Sequence, residues 1–112
     1  MEWNLVELQD GIKIIELSGR MDVQGSLKVD PAFVEIAENN RSLIVDLAKL
    51  DFLASLGIRT LVMTCKTLSN KNGRMILLSP QPNIEKVLRT SGIDTIIPIF
   101  HDRKAAEDAV AS

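Results

Sequence analysis

The sequence is short of the residues from which active sites are usually assembled. Its 112 residues hold one cysteine, Cys65, and one histidine, His101. A single cysteine excludes an internal disulfide, and no cluster of Cys, His and carboxylate residues has the spacing of a metal site. His101 has no nearby sequence partner that marks it as a general acid or base, and reads as a surface loop residue. Cys65 falls within an apolar stripe and reads as a small buried hydrophobe. Gly19, Gly25 and Gly57 are isolated, so no glycine-rich phosphate loop exists. Asp46 and Asp51 read as residues that cap backbone groups and not as an acid–base pair. No nucleophile–base–orienter set can be drawn from this inventory, so no enzymatic activity and no cofactor are expected.

Other absences bear on setting. The net charge is −2, so no strong field favours nucleic acid or anionic lipid. No apolar run approaches the ~20 residues of a membrane-spanning helix, and no direct membrane insertion is expected. The opening Met1-Glu2-Trp3-Asn4 lacks the basic flank and apolar stretch of a secretory signal. With the lone cysteine, this leads to the expectation of a cytoplasmic protein.

Hydrophobic residues make up 46% of the chain and charged residues 25%, which is ordinary globular usage for one domain over residues 1–112. Residues 2–9 alternate weakly, Asp10-Gly11 signals a hairpin turn, and residues 12–18 form a second strand. Residues 19–29 read as polar and irregular. Asp30-Pro31 has the form of a helix start, with Phe33, Ile36 and Ala37 on one face. The run 42–47 suits a strand covered on both faces. Residues 48–54 read as a loop. Ser55 opens a helix to about residue 70, with Ile58, Leu61, Val62, Cys65 and Leu68 as its stripe and Gly73 as its C-cap. A strand at 74–79, a helix around Ile84, Val87 and Leu88, and a last strand at 96–100 follow, which Pro98 places at an edge or a bulge. Asp102 caps a last short helix. The alternation predicts an α/β domain: a mixed, mostly parallel sheet with an N-terminal β-hairpin, packed against about four helices.

The segment from Asp46 to Arg59 stands out. A buried strand ends, a short loop crosses, and a serine begins a helix. As a plain N-cap, Ser55 contributes about 1 kcal/mol. The same position would let a phosphate meet the free N–H groups and the positive end of the helix dipole, and would add about −1.5 to −2 charges to the surface.

Four stretches in order carry a resemblance that covers nearly the whole chain. They are Leu17-Ser18-Gly19-Arg20-Met21-Asp22; Leu43-Ile44-Val45-Asp46-Leu47; Phe52-Leu53-Ala54-Ser55-Leu56-Gly57-Ile58; and Met75-Ile76-Leu77-Leu78-Ser79-Pro80 with Val87-Leu88 and Ser91-Gly92-Ile93. Together they resemble the STAS domain family and, within it, the bacterial anti-sigma factor antagonists. The resemblance implies a mixed sheet with packed helices and a phosphorylation-gated protein-binding module. Unphosphorylated, such a module sequesters an anti-sigma factor that is also a serine kinase, a sigma factor is released, and transcription is regulated. A serine phosphatase restores the binding form. By position the resemblance makes Ser55 the phosphoacceptor and Asp22 the acidic residue near it, with Ala54 and Gly57 flanking. Two residues depart from the family pattern: Ala54 stands where Asp is usual, and Leu56 where a small residue is common.

Helical spacing from Ser55 puts Leu56, Thr60, Met63 and Thr67 opposite the buried stripe, with Arg59 on the flank. Leu56, Arg59, Thr60 and Met63 are therefore the candidate partner-binding residues. The alternative is a STAS subunit of a membrane lipid-transport or other signalling complex, docking through the same face. A monomer or weak dimer is expected.

Overall fold

The runs Leu43-Ile44-Val45 and Met75-Ile76-Leu77-Leu78 lie in neighbouring parallel strands whose two faces are both covered. The computed structural model describes residues 1–8 and 11–111. It contains β1 (Glu2–Glu7), β2 (Lys13–Met21), α1 (Val23–Asn39), β3 (Ser42–Leu53), α2 (Ser55–Ser69), β4 (Arg74–Leu78), α3 (Pro82–Thr90), a 3₁₀ turn (Ile93–Thr95), β5 (Ile99–Phe100) and α4 (Arg103–Ala111). The five strands stand in sequence order, β1-β2-β3-β4-β5. β1 runs antiparallel to β2, from Glu2 opposite Ser18 to Glu7 opposite Lys13, and every other pair is parallel. The fold class is thus the one the alternation predicts.

Period-two alternation sends each strand's side chains to opposite faces. Ile15, Leu17, Leu43, Val45, Leu47, Met75 and Leu77 meet α1, α2 and α3 through Phe33, Leu61, Leu68 and Leu88. Ile14, Ile44, Ile76 and Leu78 point the other way and meet Ala106 and Val110 of α4. Asp102 caps α4 as expected, its Oδ2 accepting the Ala105 N–H at 3.1 Å.

Several boundaries differ from the sequence reading. α1 begins at Val23, not at Asp30, and Pro31 lies inside it; Asp22 is its N-cap, with Oδ1 accepting the Gly25 N–H at 2.8 Å. The first turns bury small residues, Gly25 and Ser26, and expose Val23 and Leu27, so hydropathy there runs against the usual helix pattern. A mid-helix proline costs about 3 kcal/mol. Burial of Val29, Phe33, Ile36 and Ala37 holds the helix through it. β2 continues past Gly19 to Met21, so residues 19–21 are strand.

Residues 48–53 are strand as well. Glu16 pairs with Asp46 but Ser18 with Lys49, and Gly19 pairs with Leu50 but Arg20 with Phe52. Each shift inserts one extra residue into β3. The buried positions therefore fall at Leu47, Leu50 and Leu53, steps of three that conceal a strand from a period-two reading. β5 is shorter than the expected 96–100, beginning only after Pro98. After α2 the left-handed residue is Asn72 (φ 61°), while the Gly73 N–H reaches the Leu68 carbonyl at 2.7 Å. The expected Asp10-Gly11 turn lies partly outside the described residues.

Candidate functional site

Two helix starts converge at the carboxyl ends of two parallel strands, the usual place for a site in such sheets. Met21, last in β2, pairs with Leu53, last in β3. α1 follows the first strand end and α2 the second. The Ala54 N–H donates to the Met21 carbonyl at 2.9 Å, which ties the start of α2 to the residue before Asp22. Close approach requires glycine in each first turn. A β-carbon on Gly25 would lie 2.4 Å from the Arg20 carbonyl oxygen, and one on Gly57 would lie 2.7 Å from Leu53 Cδ1 and 3.0 Å from Met21 Cγ and Sδ.

Ser55 is exposed at the first helical position of α2; the N-cap is Ala54, not Ser55. Ala54 has no side-chain oxygen, and no side chain caps this helix, whereas Asp22 caps α1 beside it. The first turn of α2 also holds no acidic residue. Its N–H groups and positive dipole end are therefore left without a side-chain acceptor. Next to this corner the Arg20 guanidinium lies over the Phe52 ring, 4.4 Å from its centre. The pair is hidden in the sequence, where residues 19–29 and 48–54 read as irregular, whereas Arg20 and Phe52 are opposed strand positions.

The outward face of α2 is as expected at three of four positions. Arg59 and Met63 are exposed and Leu56 is half-buried. Thr60 is a correction, being only 4% exposed. Its Oγ1 donates to Asp30 Oδ1 at 2.9 Å, with the Leu56 carbonyl a further partner at 3.2 Å. α1 extends alongside α2 and covers Thr60 through Asp30. Asp30 is thus the hydrogen-bond acceptor between two helices and not a helix cap.

The remaining candidates are accounted for locally. Burial pushes the Cys65 thiol above its ordinary pKa, with a hydrogen bond involving Ser69 acting in the opposite direction. His101 Nε2 lies 3.0 Å from Glu85 Oε1. Asp46 accepts the Ala48 N–H at 3.0 Å, and Asp51 accepts from Gln81 Nε2 at 3.4 Å. Among the described residues no three His, Cys, Asp or Glu side chains are grouped to hold a metal ion, and no helix is long and apolar enough to cross a membrane.

The STAS domain model matches residues 5–106. The chain belongs to the STAS domain family. BtrV of Bordetella bronchiseptica, provisionally named an anti-sigma factor antagonist, is 27% identical over 101 residues, covering 89% of this STAS chain and 87% of that one. The anti-sigma F factor antagonist of Paenibacillus polymyxa is 27% identical over 97 residues, 85% and 83% of the two chains. The solved fold of the anti-sigma factor antagonist SpoIIAA in its unphosphorylated form superposes with a TM-score of 0.82 at 22% identity, over 97% of this chain and 96% of that one. The phosphorylated form of Bacillus SpoIIAA gives 0.76 at 22% identity, over 97% and 99%. The fold also recurs in a sulfate transporter family protein of Wolinella succinogenes, with a TM-score of 0.75 at 17% identity, over 93% and 88%.

Proposed function

We propose that this STAS domain is an anti-sigma factor antagonist switched by phosphorylation of Ser55. Unphosphorylated, it binds an anti-sigma factor with serine kinase activity through Leu56, Arg59 and Met63, and the sigma factor is released. The kinase transfers a phosphoryl group to the Ser55 hydroxyl, the complex separates, and a serine phosphatase restores the binding form. Asp22 marks the neighbouring helix start, and Gly57 keeps the first turn of α2 against the strand ends.

The observation that carries this reading is the uncapped start of α2. Ser55 is exposed at the first helical position, and with Ala54 before it no carboxylate competes for the N–H groups. A phosphate there gains favourable interactions with the helix end, while its charge lies on the surface offered to the partner. Desolvating that charge against Leu56 and Met63 opposes binding. Fold stability and partner affinity therefore respond differently to one modification.

Phosphate mapping by mass spectrometry, after incubation with the cognate kinase and ATP, should find the modification on Ser55. Ser55→Ala should remain bound and unmodified, and Ser55→Asp should bind poorly. Thermal melting should show no loss of stability on phosphorylation. Modification elsewhere, or none with an active kinase, would leave Ser55 a solvent-exposed helix residue. The transporter-type alternative predicts retention of this domain by membrane transport subunits in a pull-down, in place of a kinase.

A further inference from the structure

α1 leaves an apolar row in solvent. Val23, Leu27 and Val34 are 57%, 62% and 49% exposed, and their spacing of four and seven places them along one side of the helix. α2 runs beside it, with Leu56 and the half-exposed Met63 seven residues apart. Between the two helices lies a groove of about 390 Å³.

Its floor is polar by composition but apolar in what it offers. The Thr60 hydroxyl donates to Asp30, the Thr64 hydroxyl to the Thr60 carbonyl at 2.8 Å, and the Thr67 hydroxyl to the Met63 carbonyl at 3.1 Å. An apolar occupant would cover these threonines without stranding a donor.

The two sides of the groove differ in charge. Asp30 and Glu38 line the α1 side, and Arg59 lines the α2 side. Lys66 follows Arg59 at a spacing of seven, on the same side of α2. Glu38, Arg59 and Lys66 are exposed, and none is in an ion pair among the described residues.

We propose that the groove receives one amphipathic α-helix of the partner protein, with apolar anchors at i, i+4 and i+7, a basic edge along α1 and an acidic edge along α2. This deepens the reading above, and rests on it for the identity of the partner, by naming the element that makes contact and extending the contact surface to α1. Two turns of helix are about 11 Å long and cover the groove wall from Leu27 to Val34. The opposed charges of the two edges, Asp30 and Glu38 against Arg59, suit a single helix with one basic and one acidic edge. A single docked helix needs no more than a groove of this kind.

The test uses the full chain and two stapled, fluorescein-labelled helical peptides of one composition. Both carry leucine at the anchor positions. The matched peptide has lysine on the α1 edge and glutamate on the α2 edge, and the other has these edges exchanged. By fluorescence polarisation the matched peptide should bind about tenfold more tightly or better. Leu27→Glu and Val34→Glu should each weaken it about tenfold with unchanged circular dichroism. The double reversal Glu38→Lys with Arg59→Glu should transfer the preference to the exchanged peptide. Equal binding of both peptides, binding of neither, or a Leu27-dependent dimer in sedimentation would overturn the proposal. The peptide assay uses neither kinase nor ATP. The peptide result and the phosphate mapping can thus fail separately.

Discussion

The tightest backbone approach near the site is 2.4 Å, between a β-carbon placed on Gly25 and the Arg20 carbonyl oxygen. Backbone cannot yield as a side chain can, so Gly25→Ala should cost about 1–3 kcal/mol despite alanine's better helix propensity. At Gly57 the obstacles are Leu53 Cδ1 and the Met21 side chain, which can rotate away. Gly57→Ala should therefore cost less. Urea unfolding of the two variants at unchanged m-value gives the comparison, and equal losses would refute it. The same scale explains the correction at Thr60. Thr60 lies opposite Ile58 and Val62 on the α2 wheel, and a wheel holds no record that α1 lies over it. Asp30, read as a cap, is instead the acceptor that Thr60 needs in that buried place.

Elements differ in how their ends are closed. α1 is capped by Asp22 at one end. At the other it has no basic residue in its last turn, and the Lys71 ammonium supplies that charge from the turn after α2, donating to the carbonyls of Ala37, Glu38 and Asn40. α2 starts with no side-chain cap. Asp22→Ala should cost about 1 kcal/mol, and Ala54→Asp should add about as much by giving α2 the acceptor it lacks. Chemical denaturation reads both. An Ala54→Asp variant no more stable than the parent would mean that the start of α2 already has its N–H groups satisfied. Lys71→Met should loosen the end of α1, seen as faster amide hydrogen exchange at residues 37–40.

At the scale of the whole molecule, the two bulges in β3 decide where the site sits. They shift the register by two residues, so that Leu53 and not Asp51 stands opposite Met21 at the end of β2, with the start of α2 directly after it. The exposed apolar residues of α1 and α2 are few and are flanked by the charged side chains of Glu38 and Arg59. Sedimentation at micromolar concentration should therefore give a monomer, with weak association at most. A tight dimer that persists on dilution would show that another face is covered.

The amino-acid order by itself determined the α/β alternation, the buried strand at 42–47, the strand expected at 74–79 and found at 74–78, the burial of Leu61, Cys65 and Leu68 in α2 and the place of Ser55 at a helix start, because period and turn chemistry are local properties. The four ordered motifs carried the family. Only the tertiary structure decided the true start of α1, the length of β3, the burial of Thr60 and the meeting of Arg20 with Phe52. In α1 the buried residues of the first turns are small and the exposed ones large. In β3 the bulges replace a period of two by steps of three. Both inversions arise from what lies across the sheet or beside the helix, and a linear pattern holds no record of those neighbours.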